Sequence, residues 1–229
     1  MSVAAPPARS GRRGRPPGAG RRGRPPGTSR RALELIALRL FAAQGFEETT
    51  VDQIAAEAGV SRRAFFRYFD SKPDVLWGEF DTEVATIRAL LDEVPAGPPV
   101  MEAVRQAVLA ANHYRAADVP ELRARMSLIG SVPALMANAA VHYDAWERAV
   151  ADFVARRTGQ APDSLYPLAV GRATLAACRA AYDRWVVHAD ADLTVYLDAA
   201  LRALAAGFAD DVLAEESRGA ARRHPLPAR

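Results

Sequence analysis

Apolar residues recur with the spacing of an α-helix over most of this chain. From Leu33 to Phe41 they fall at positions i, i+3, i+4, i+7 and i+8, which places them on one stripe of a first helix over about 29–44 that ends at Gly45. No long stretch alternates apolar and polar residues as a half-buried strand would. The pattern therefore predicts an all-α protein.

Two short helices are predicted next, with a tight turn between them. Thr50 and Gln53 have the spacing of a capping box, so a second helix begins there, and Gly59 ends it. Ser61 is a good N-cap for a third helix over Arg62–Phe69. Two short helices joined by a turn that contains glycine are typical of a DNA-binding helix-turn-helix, whose second helix enters the major groove.

The rest of the chain is predicted to form six further helices. The fourth begins near Pro73 and runs to about Glu93, where the Pro-Gly-rich segment 95–99 ends it. The others are expected over about 100–116, 120–131, 133–158, 163–188 and 192–216. The last of these has the clearest apolar stripe, formed by Leu193, Leu197, Leu201, Leu204 and Phe208.

Charge is distributed unevenly along the chain. The net charge is +3, but residues 1–31 contain nine arginines and no acidic residue, whereas the remainder has 21 basic and 27 acidic residues and a net charge of −6. A cationic N-terminal arm on an acidic body indicates a polyanionic partner that binds the arm and not the rest of the protein. Nucleic acid is the first candidate for this partner, and an anionic membrane is the second.

The arm contains a nine-residue tandem repeat, GRRGRPPGA followed by GRRGRPPGT, starting at Gly11 and Gly20. Such a segment cannot bury apolar surface, so we expect residues 1–28 to be disordered when free. Each repeat holds Arg-Gly-Arg-Pro, which resembles an AT-hook core and is thin enough to lay arginine along an A·T minor groove. The alternative is a tether without sequence preference. The arm residues predicted to contact DNA are Arg13, Arg15, Arg22 and Arg24.

Other classes of protein find little support in the sequence. The single cysteine, Cys178, cannot close an intrachain disulfide, and no leader segment or apolar run of about 20 residues is evident, which favours a cytoplasmic protein that does not enter a membrane. The sequence has no P-loop, Rossmann glycine pattern, nucleophile elbow or His-Glu-x-x-His, and its four histidines are scattered. We therefore expect no enzymatic activity, cofactor or metal site.

The segment from Phe41 to Phe80, FAAQGFEETTVDQIAAEAGVSRRAFFRYFDSKPDVLWGEF, resembles the N-terminal domain of the tetracycline-repressor (TetR) family. The resemblance implies a helix-turn-helix domain over 29–72, a helical effector-binding and dimerisation domain over 73–217 and a tail over 218–229, which we expect to be disordered. The matching elements are Leu40-Phe41, Gly45-Phe46, Thr49-Thr50, Ile54-Ala55, Gly59-Val60-Ser61, Phe65-Phe66-Arg67-Tyr68-Phe69 and Ser71-Lys72.

The third helix is predicted to read the DNA. Arg62 and Arg63 lie off its apolar stripe, and a guanidinium can hydrogen-bond to both O6 and N7 of guanine, so these arginines are predicted to contact bases or backbone. Phe66 stands where the family usually has tyrosine, which favours apolar contact with a thymine methyl group. The alternatives are a solvated face for the arginines and simple packing for Phe66. Phe65 and Phe69, one turn apart, are predicted to lie in the core.

Phosphate contacts are predicted for residues around that helix. They come from the hydroxyls of Thr49, Thr50 and Tyr68 and, by resemblance to the family, from Lys72, the only lysine in the chain. The full set of DNA-contacting residues predicted in this domain is Thr49, Thr50, Ser61, Arg62, Arg63, Ala64, Phe66, Arg67, Tyr68 and Lys72.

The resemblance also implies an internal effector pocket and a homodimer in which the last two long helices pair with those of a second subunit. Small residues of the 163–188 helix would allow close approach, although a core within one subunit would have the same pattern: Gly171, Ala173, Ala176, Ala177, Ala180 and Ala181. Bulky or polarisable residues predicted to line the pocket favour a mainly apolar effector. They are Met126, Ile129, Met136, Tyr143, Trp146, Cys178, Tyr182 and Trp185. Polar specificity is assigned to Asn112, His113, Arg123 or His142.

Four further segments resemble the mycofactocin-system group of actinobacterial regulators within this family: FDSK at 69–72, WGEFD at 77–81, YDAW at 143–146 and FVARRTG at 153–159. This resemblance implies a fatty acyl-CoA or similar lipid as effector. The predicted function is a homodimeric repressor that is released from a palindromic operator by its effector. The alternative is an architectural protein that binds A·T-rich DNA through its basic arm.

Overall fold

In the computed structural model, residues 28–188 and 190–207 are described, and within these ranges the chain forms helices, turns and loops without a strand. A 3₁₀ turn, Pro73–Leu76, precedes the fourth of the nine α-helices found in these ranges. The all-α prediction is therefore confirmed. The helices are α1 (Arg30–Gln44), α2 (Val51–Glu57), α3 (Arg62–Phe65), α4 (Gly78–Asp92), α5 (Val100–Ala111), α6 (Val119–Ser131), α7 (Pro133–Thr158), α8 (Leu165–His188) and α9 (Leu193–Ala205).

The first three helices have the caps that the sequence predicts. Thr50 Oγ1 accepts a hydrogen bond from the Gln53 backbone N–H, and the Gln53 side chain accepts one from the Thr50 N–H, which completes the capping box. Ser61 Oγ accepts from the Ala64 N–H at the start of α3. Between α2 and α3, Gly59 adopts a φ of +66°, a left-handed conformation in which a side chain is strained. These contacts fix the tight turn of a helix-turn-helix.

The core of this head, residues 28–77, is aromatic and continues into the rest of the protein. Phe65 and Phe69 are both buried, with ring centroids 5.2 Å apart, as predicted. They pack with residues of α1 and α2, and the same apolar cluster includes Ile129 of α6 and Leu135 of α7. The head is therefore seated on the helices that follow it, rather than joined to them by a free linker.

Four helices differ from their predicted bounds. Helix α5 ends at Ala111 rather than at about 116, and α9 ends at Ala205 rather than at about 216. The third ends at Phe65 rather than Phe69, because residues 66–68 form a turn that returns Phe69 to the core. The fourth is interrupted at Trp77, so the 3₁₀ turn and α4 replace one continuous helix. The three consecutive residues Val75 to Trp77 are buried there, in the apolar cluster that joins the head to α6 and α7.

Helices α4, α5, α7, α8 and α9 surround the second core. Leu193, Leu197 and Leu201 lie buried along α9 as its stripe predicted, Leu204 is half-buried, and Phe208 lies outside the described residues. The long helices α7 and α8 form a hairpin that pairs closely at Gly171, where an added Cβ would lie 2.6 Å from the Glu147 carbonyl oxygen. Gly171 thus serves packing within the subunit.

Replacing Gly171 with alanine is expected to lower the free energy of unfolding by about 1–3 kcal/mol, because the contacting atom is backbone and the helices must separate. Gly130→Ala on α6 is the matched control. Its added Cβ has no atom within 4 Å, so this variant should gain up to about 1 kcal/mol from helix propensity. Denaturant unfolding of both variants measures the difference, and equal values for the two would contradict the close approach.

Candidate DNA-binding surface and ligand cavity

The exposed face of the helix-turn-helix contains arginine and one aromatic ring. Arg62, Arg63, Phe66 and Arg67 are all exposed on or just after α3. The Arg62 guanidinium lies 5.4 Å from the centroid of the Phe66 ring and pairs with Asp52 of α2 at 2.9 Å. This surface offers planar donors and an apolar edge, which are the groups that recognise guanine and thymine in the major groove.

Two hydroxyls that were predicted to contact phosphate are directed into the protein. The Thr49 side chain is buried, and its hydroxyl donates to the Gly45 carbonyl oxygen at 2.7 Å. The Tyr68 hydroxyl donates to the Thr28 carbonyl oxygen at 2.8 Å. Each hydroxyl proton thus stabilises a loop of the head in this structure, and phosphate contact by Thr49 and Tyr68 stays a prediction. The hydroxyls of Thr50 and Ser61 lie at exposed helix N-termini, where they act as caps.

Lys72, for which phosphate contact stays a prediction, is engaged within the head in this structure. Its Nζ donates to the carbonyl oxygens of Phe46 at 2.7 Å and Thr49 at 3.0 Å, and lies 3.4 Å from that of Glu47. The ammonium is also 4.1 Å from the centroid of the Phe46 ring. Three donors meet three carbonyls in this arrangement, so Lys72 holds the loop between α1 and α2 and positions the N-terminus of α2.

Lys72→Met is expected to lower the free energy of unfolding by about 1–3 kcal/mol, because the loop loses its charge-assisted hydrogen bonds. Arg67→Met removes an exposed cation from the same head and should leave that free energy within about 0.5 kcal/mol of the parent value. Unfolding in the absence of DNA separates the two effects. If the Lys72 variant is as stable as the parent, the carbonyl contacts do not stabilise the head, and phosphate contact is the remaining role predicted for Lys72.

A cavity of about 300 Å³ lies among α4, α6, α7 and α8. Its wall is mostly apolar, and seven of the eight residues predicted for the pocket lie on it: Met126, Ile129, Met136, Tyr143, Trp146, Cys178 and Tyr182. Trp185 does not, because its side chain is buried elsewhere on α8 and its Nε1 donates to the Ala191 carbonyl oxygen at 3.2 Å. Contact between these residues and a ligand stays a prediction.

The polar residues predicted to confer specificity lie away from this cavity. Arg123 donates to the Val186 carbonyl oxygen and joins α6 to α8, while His113 is exposed. His142 stacks on Trp77 at a centroid distance of 4.4 Å, and its Nδ1 lies 2.8 Å from an oxygen of Asp81. Asn112 is buried behind the cavity wall. None of the four lines the cavity.

Glu83 supplies the polar inner wall that the sequence analysis missed. It is buried on α4, and its Oε1 accepts a hydrogen bond from Asn112 Nδ2 at 3.0 Å. Burial raises the pKa of Glu83 to about 7, and hydrogen bonds from Asn112 and Trp146 oppose the rise. A signal existed in the sequence: Glu83 lies three residues after Phe80, on the stripe that also buries Ile87.

The opening of the cavity has a different character. Arg179 and Asp183 of α8 line it and are exposed, as is Met136 of α7. The Arg179 guanidinium lies 4.9 Å from the centroid of the Tyr143 ring, so a cation is held at the entrance to an apolar space. The cavity therefore offers a charged mouth, an apolar middle and a carboxyl group at its inner wall.

A network of ion pairs joins the head to the wall of this cavity. Arg31 of α1 donates to Glu79 of α4 at 2.6 Å and to Glu121 of α6 at 2.5 Å. Arg125 is fully buried one turn after Glu121, donates to it at 2.6 Å and to the Leu76 carbonyl oxygen at 3.3 Å. The same helix, α6, carries cavity residues, so it contacts both the head and the space where a ligand would lie.

Residues 28–188 and 190–207 contain no cluster of three or more histidine, cysteine or acidic side chains that could hold a metal ion. Over the same ranges no single helix is long and apolar enough to cross a membrane; α6 and α7 satisfy the criterion only together, with a bend of 105° between them. The arm residues Arg13, Arg15, Arg22 and Arg24 lie outside the described residues, so their minor-groove contact stays a prediction.

An arginine-bearing helix-turn-helix that packs on a helical domain with a mostly apolar cavity defines a DNA-binding transcriptional regulator. Comparison with known proteins specifies the class. The family profile described as "Bacterial regulatory proteins, tetR family" matches residues 36–76, and the profile "MftR C-terminal domain" matches residues 98–209.

Two relatives extend this match over most of the chain. The Mycobacterium tuberculosis protein assigned as the mycofactocin biosynthesis transcriptional regulator MftR is 36% identical over 173 residues, which cover 76% of this chain and 87% of that protein. The regulator TcmR of Streptomyces glaucescens is 32% identical over 69% of this chain and 73% of its own length. The chain therefore belongs to the TetR family of transcriptional regulators, and its relatives are regulators rather than enzymes.

Solved structures of the family have the same fold. Thermus thermophilus FadR, a repressor crystallised with lauroyl-CoA, is 25% identical, with a TM-score of 0.50 over 76% of this chain and 92% of its own. SmeT, the repressor of a Stenotrophomonas maltophilia multidrug efflux pump, is 20% identical, with a TM-score of 0.56 over 81% of this chain and 93% of its own. The predicted architecture and the predicted MftR-like group are thus confirmed.

Proposed function

We propose that this regulator is a homodimeric repressor that binds a palindromic operator and is released by a mainly apolar effector of the fatty acyl-CoA type. The observation that carries the proposal is the double contact of α6, which holds Arg31 of the head through Glu121 and lines the cavity through Met126 and Ile129. A ligand that displaces α6 therefore acts on the head directly.

The cavity supports an acyl chain as the part of the effector that is buried. Its volume of about 300 Å³ lies at the lower end of the range for small-molecule pockets, which suits one chain rather than a whole coenzyme. Arg179 at the opening supplies a cation for phosphates that remain outside. The lauroyl-CoA bound to Thermus thermophilus FadR, a family member 25% identical to this chain, is a precedent for this ligand class.

Dimerisation is proposed through α8 and α9. The small residues of α8 divide between two faces: Gly171 and Ala181 are buried within the subunit, whereas Ala176 and Ala180 are exposed. Val187 and Val195 add exposed apolar surface on the same two helices. A partner that covers these residues would place two heads side by side, with recognition helices about 34–36 Å apart for successive major grooves.

The switch is proposed to be a change in the spacing of the two heads. An effector can shift the equilibrium between two head positions only by the difference in its affinity for them. Because Arg31 bridges Glu79 of α4 and Glu121 of α6, a relative movement of these helices must move α1 or break an ion pair. Helix α1 belongs to the head core, so the recognition helix moves with it.

The double variant Arg62→Ala/Arg63→Ala is expected to bind the operator at least 10-fold more weakly than the parent, because each well-formed base contact contributes about 1–3 kcal/mol. Its free energy of unfolding should remain unchanged, because both arginines are exposed. Arg148→Ala, which removes an exposed arginine from α7, is the control and should bind normally. Fluorescence anisotropy with DNA from upstream of the gene measures both.

A footprint on the same DNA distinguishes the two candidate functions. Protection of one palindrome supports the regulator. Protection of many A·T-rich tracts by the double variant and the parent alike would favour the architectural protein that uses its arm.

Arg31→Gln is expected to reduce the effect of the ligand on operator affinity by at least about 5-fold, because the head loses its ion pairs to α4 and α6 while the buried Glu121–Arg125 pair remains. Arg39→Gln, on the same helix, breaks only a pair with Glu57 inside the head and serves as control. The measurement is the ratio of operator dissociation constants with and without lauroyl-CoA. An unchanged ratio in the Arg31 variant would exclude this route.

A further inference from the structure

Glu83, Asn112 and Tyr182 form a closed ring of hydrogen bonds at the inner wall of the cavity. Asn112 Nδ2 donates to Glu83 Oε1 at 3.0 Å, and the Tyr182 hydroxyl is in close contact with Asn112 Oδ1. The ring closes where the Tyr182 oxygen lies 3.5 Å from Glu83 Oε2. Glu83 and Tyr182 both line the cavity, so a ligand that fills it reaches two members of this ring.

The number of protons in the ring decides the charge of Glu83. The Tyr182 hydroxyl has one proton, and its close contact is with Asn112 Oδ1, a group that can only accept. The contact between Tyr182 and Glu83 Oε2 then lacks a proton unless the carboxyl group supplies one. With Glu83 as a neutral acid, every contact in the ring joins a donor to an acceptor. An ionised Glu83 would keep its hydrogen bonds from Asn112 and Trp146, but Glu83 Oε2 and Asn112 Oδ1 would compete for the one proton of Tyr182.

The surroundings of Glu83 favour the same state. Burial raises the pKa of Glu83 to about 7, and burial also raises the pKa of Tyr114, Cys178 and Tyr182, so these three neighbours are neutral. No ion pair to Glu83 occurs among the described residues. The charged groups on the elements packed around it have other partners or lie at the mouth: Glu79 on α4, Arg125 on α6, and Arg179 and Asp183 on α8.

We infer that Glu83 is a specificity-determining residue of the cavity, which meets the effector as a neutral acid and selects a ligand whose inner end is uncharged and apolar. The inference rests on the proposed function and deepens it. The donors of the ring are used within it or, for the second amide hydrogen of Asn112, on the Val108 carbonyl oxygen, so an alkyl end can lie against Glu83 without leaving a polar group unsatisfied. A carboxylate or other anion at that end is excluded, and the charged part of the ligand stays near Arg179.

One consequence is that effector binding above neutral pH takes up a proton. An alkyl chain that covers Glu83 removes its remaining water and binds only the neutral form, so protein that has lost this proton must regain it. Affinity is then highest below the pKa of about 7 and falls as pH rises above it. A ligand whose inner end is a protonated amine would reverse this sign, because it would favour the ionised acid.

The test is calorimetric titration of the full-length protein with lauroyl-CoA at about pH 6 and about pH 8.5, each in two buffers of different ionisation enthalpy. The parent is expected to bind about 10- to 30-fold more weakly at the higher pH and to take up nearly one proton per site there. Glu83→Gln is the matched variant, because its amide keeps a donor for Tyr182 and an acceptor for Asn112 but cannot ionise. It should bind with little change between the two pH values.

The variant also corrects for the phosphates of coenzyme A, which titrate in the same range and contribute equally to both proteins. If the parent binds lauroyl-CoA with the same pH dependence and proton uptake as Glu83→Gln, the inference is wrong and the proposed effector class stands. If lauroyl-CoA binds neither protein and leaves operator binding unchanged, the proposed acyl-CoA effector is wrong.

A measurement without ligand decides the charge of Glu83 in either case. The pKa of Glu83 in the folded protein, about 7, exceeds its ordinary value of 4.5. The free energy of unfolding is therefore unaffected by this group below about pH 4.5 and decreases as the pH rises to about 7. Above that pH the loss is constant. The midpoint of thermal unfolding of the parent should therefore fall relative to Glu83→Gln between about pH 5 and about pH 8. A difference between the two proteins that stays constant over this range would overturn the inference.

Discussion

The structure depends on the burial of one guanidinium, that of Arg125, at the junction of the head and the helical body. A buried cation is tolerated only when anions and carbonyls surround it, so Glu121, the Leu76 carbonyl and, at 3.6 Å, Glu79 must remain close to it. Two of these partners also hold Arg31 of the head. The requirement to satisfy Arg125 thereby fixes where α1 sits relative to α4 and α6.

This arrangement connects the cavity to the DNA-binding head through a single helix. Helix α6 carries apolar side chains into the cavity on one face and the carboxylate that bridges two arginines on another. Close packing transmits displacement because the interior has few voids to absorb it. The inner end of the same cavity is set by a different buried group, Glu83, whose neighbours are neutral donors and acceptors instead of cations.

Lysine and arginine have distinct uses in this head. The exposed arginines on and after α3 present planar donors to solvent, which suits base recognition. The single lysine is directed inward, where its compact ammonium meets three backbone carbonyls that a planar guanidinium would fit less well. The order of the N-terminal part of α2 therefore depends on a residue that lies 22 positions after Thr50, its N-cap.

Helix positions, caps, the turn at Gly59 and the buried pair Phe65 and Phe69 were determined by sequence alone, because periodicity and capping are local properties. Most of the cavity wall was also predictable, since bulky residues on adjoining helices turn inward together. The roles of Lys72 and Tyr68 were not, because the carbonyls that engage them lie 26 and 40 residues away and become neighbours only when the chain folds. The same holds for Glu83 and for the Arg31–Glu121 pair, 90 residues apart, because tertiary packing alone decides which polar groups become neighbours.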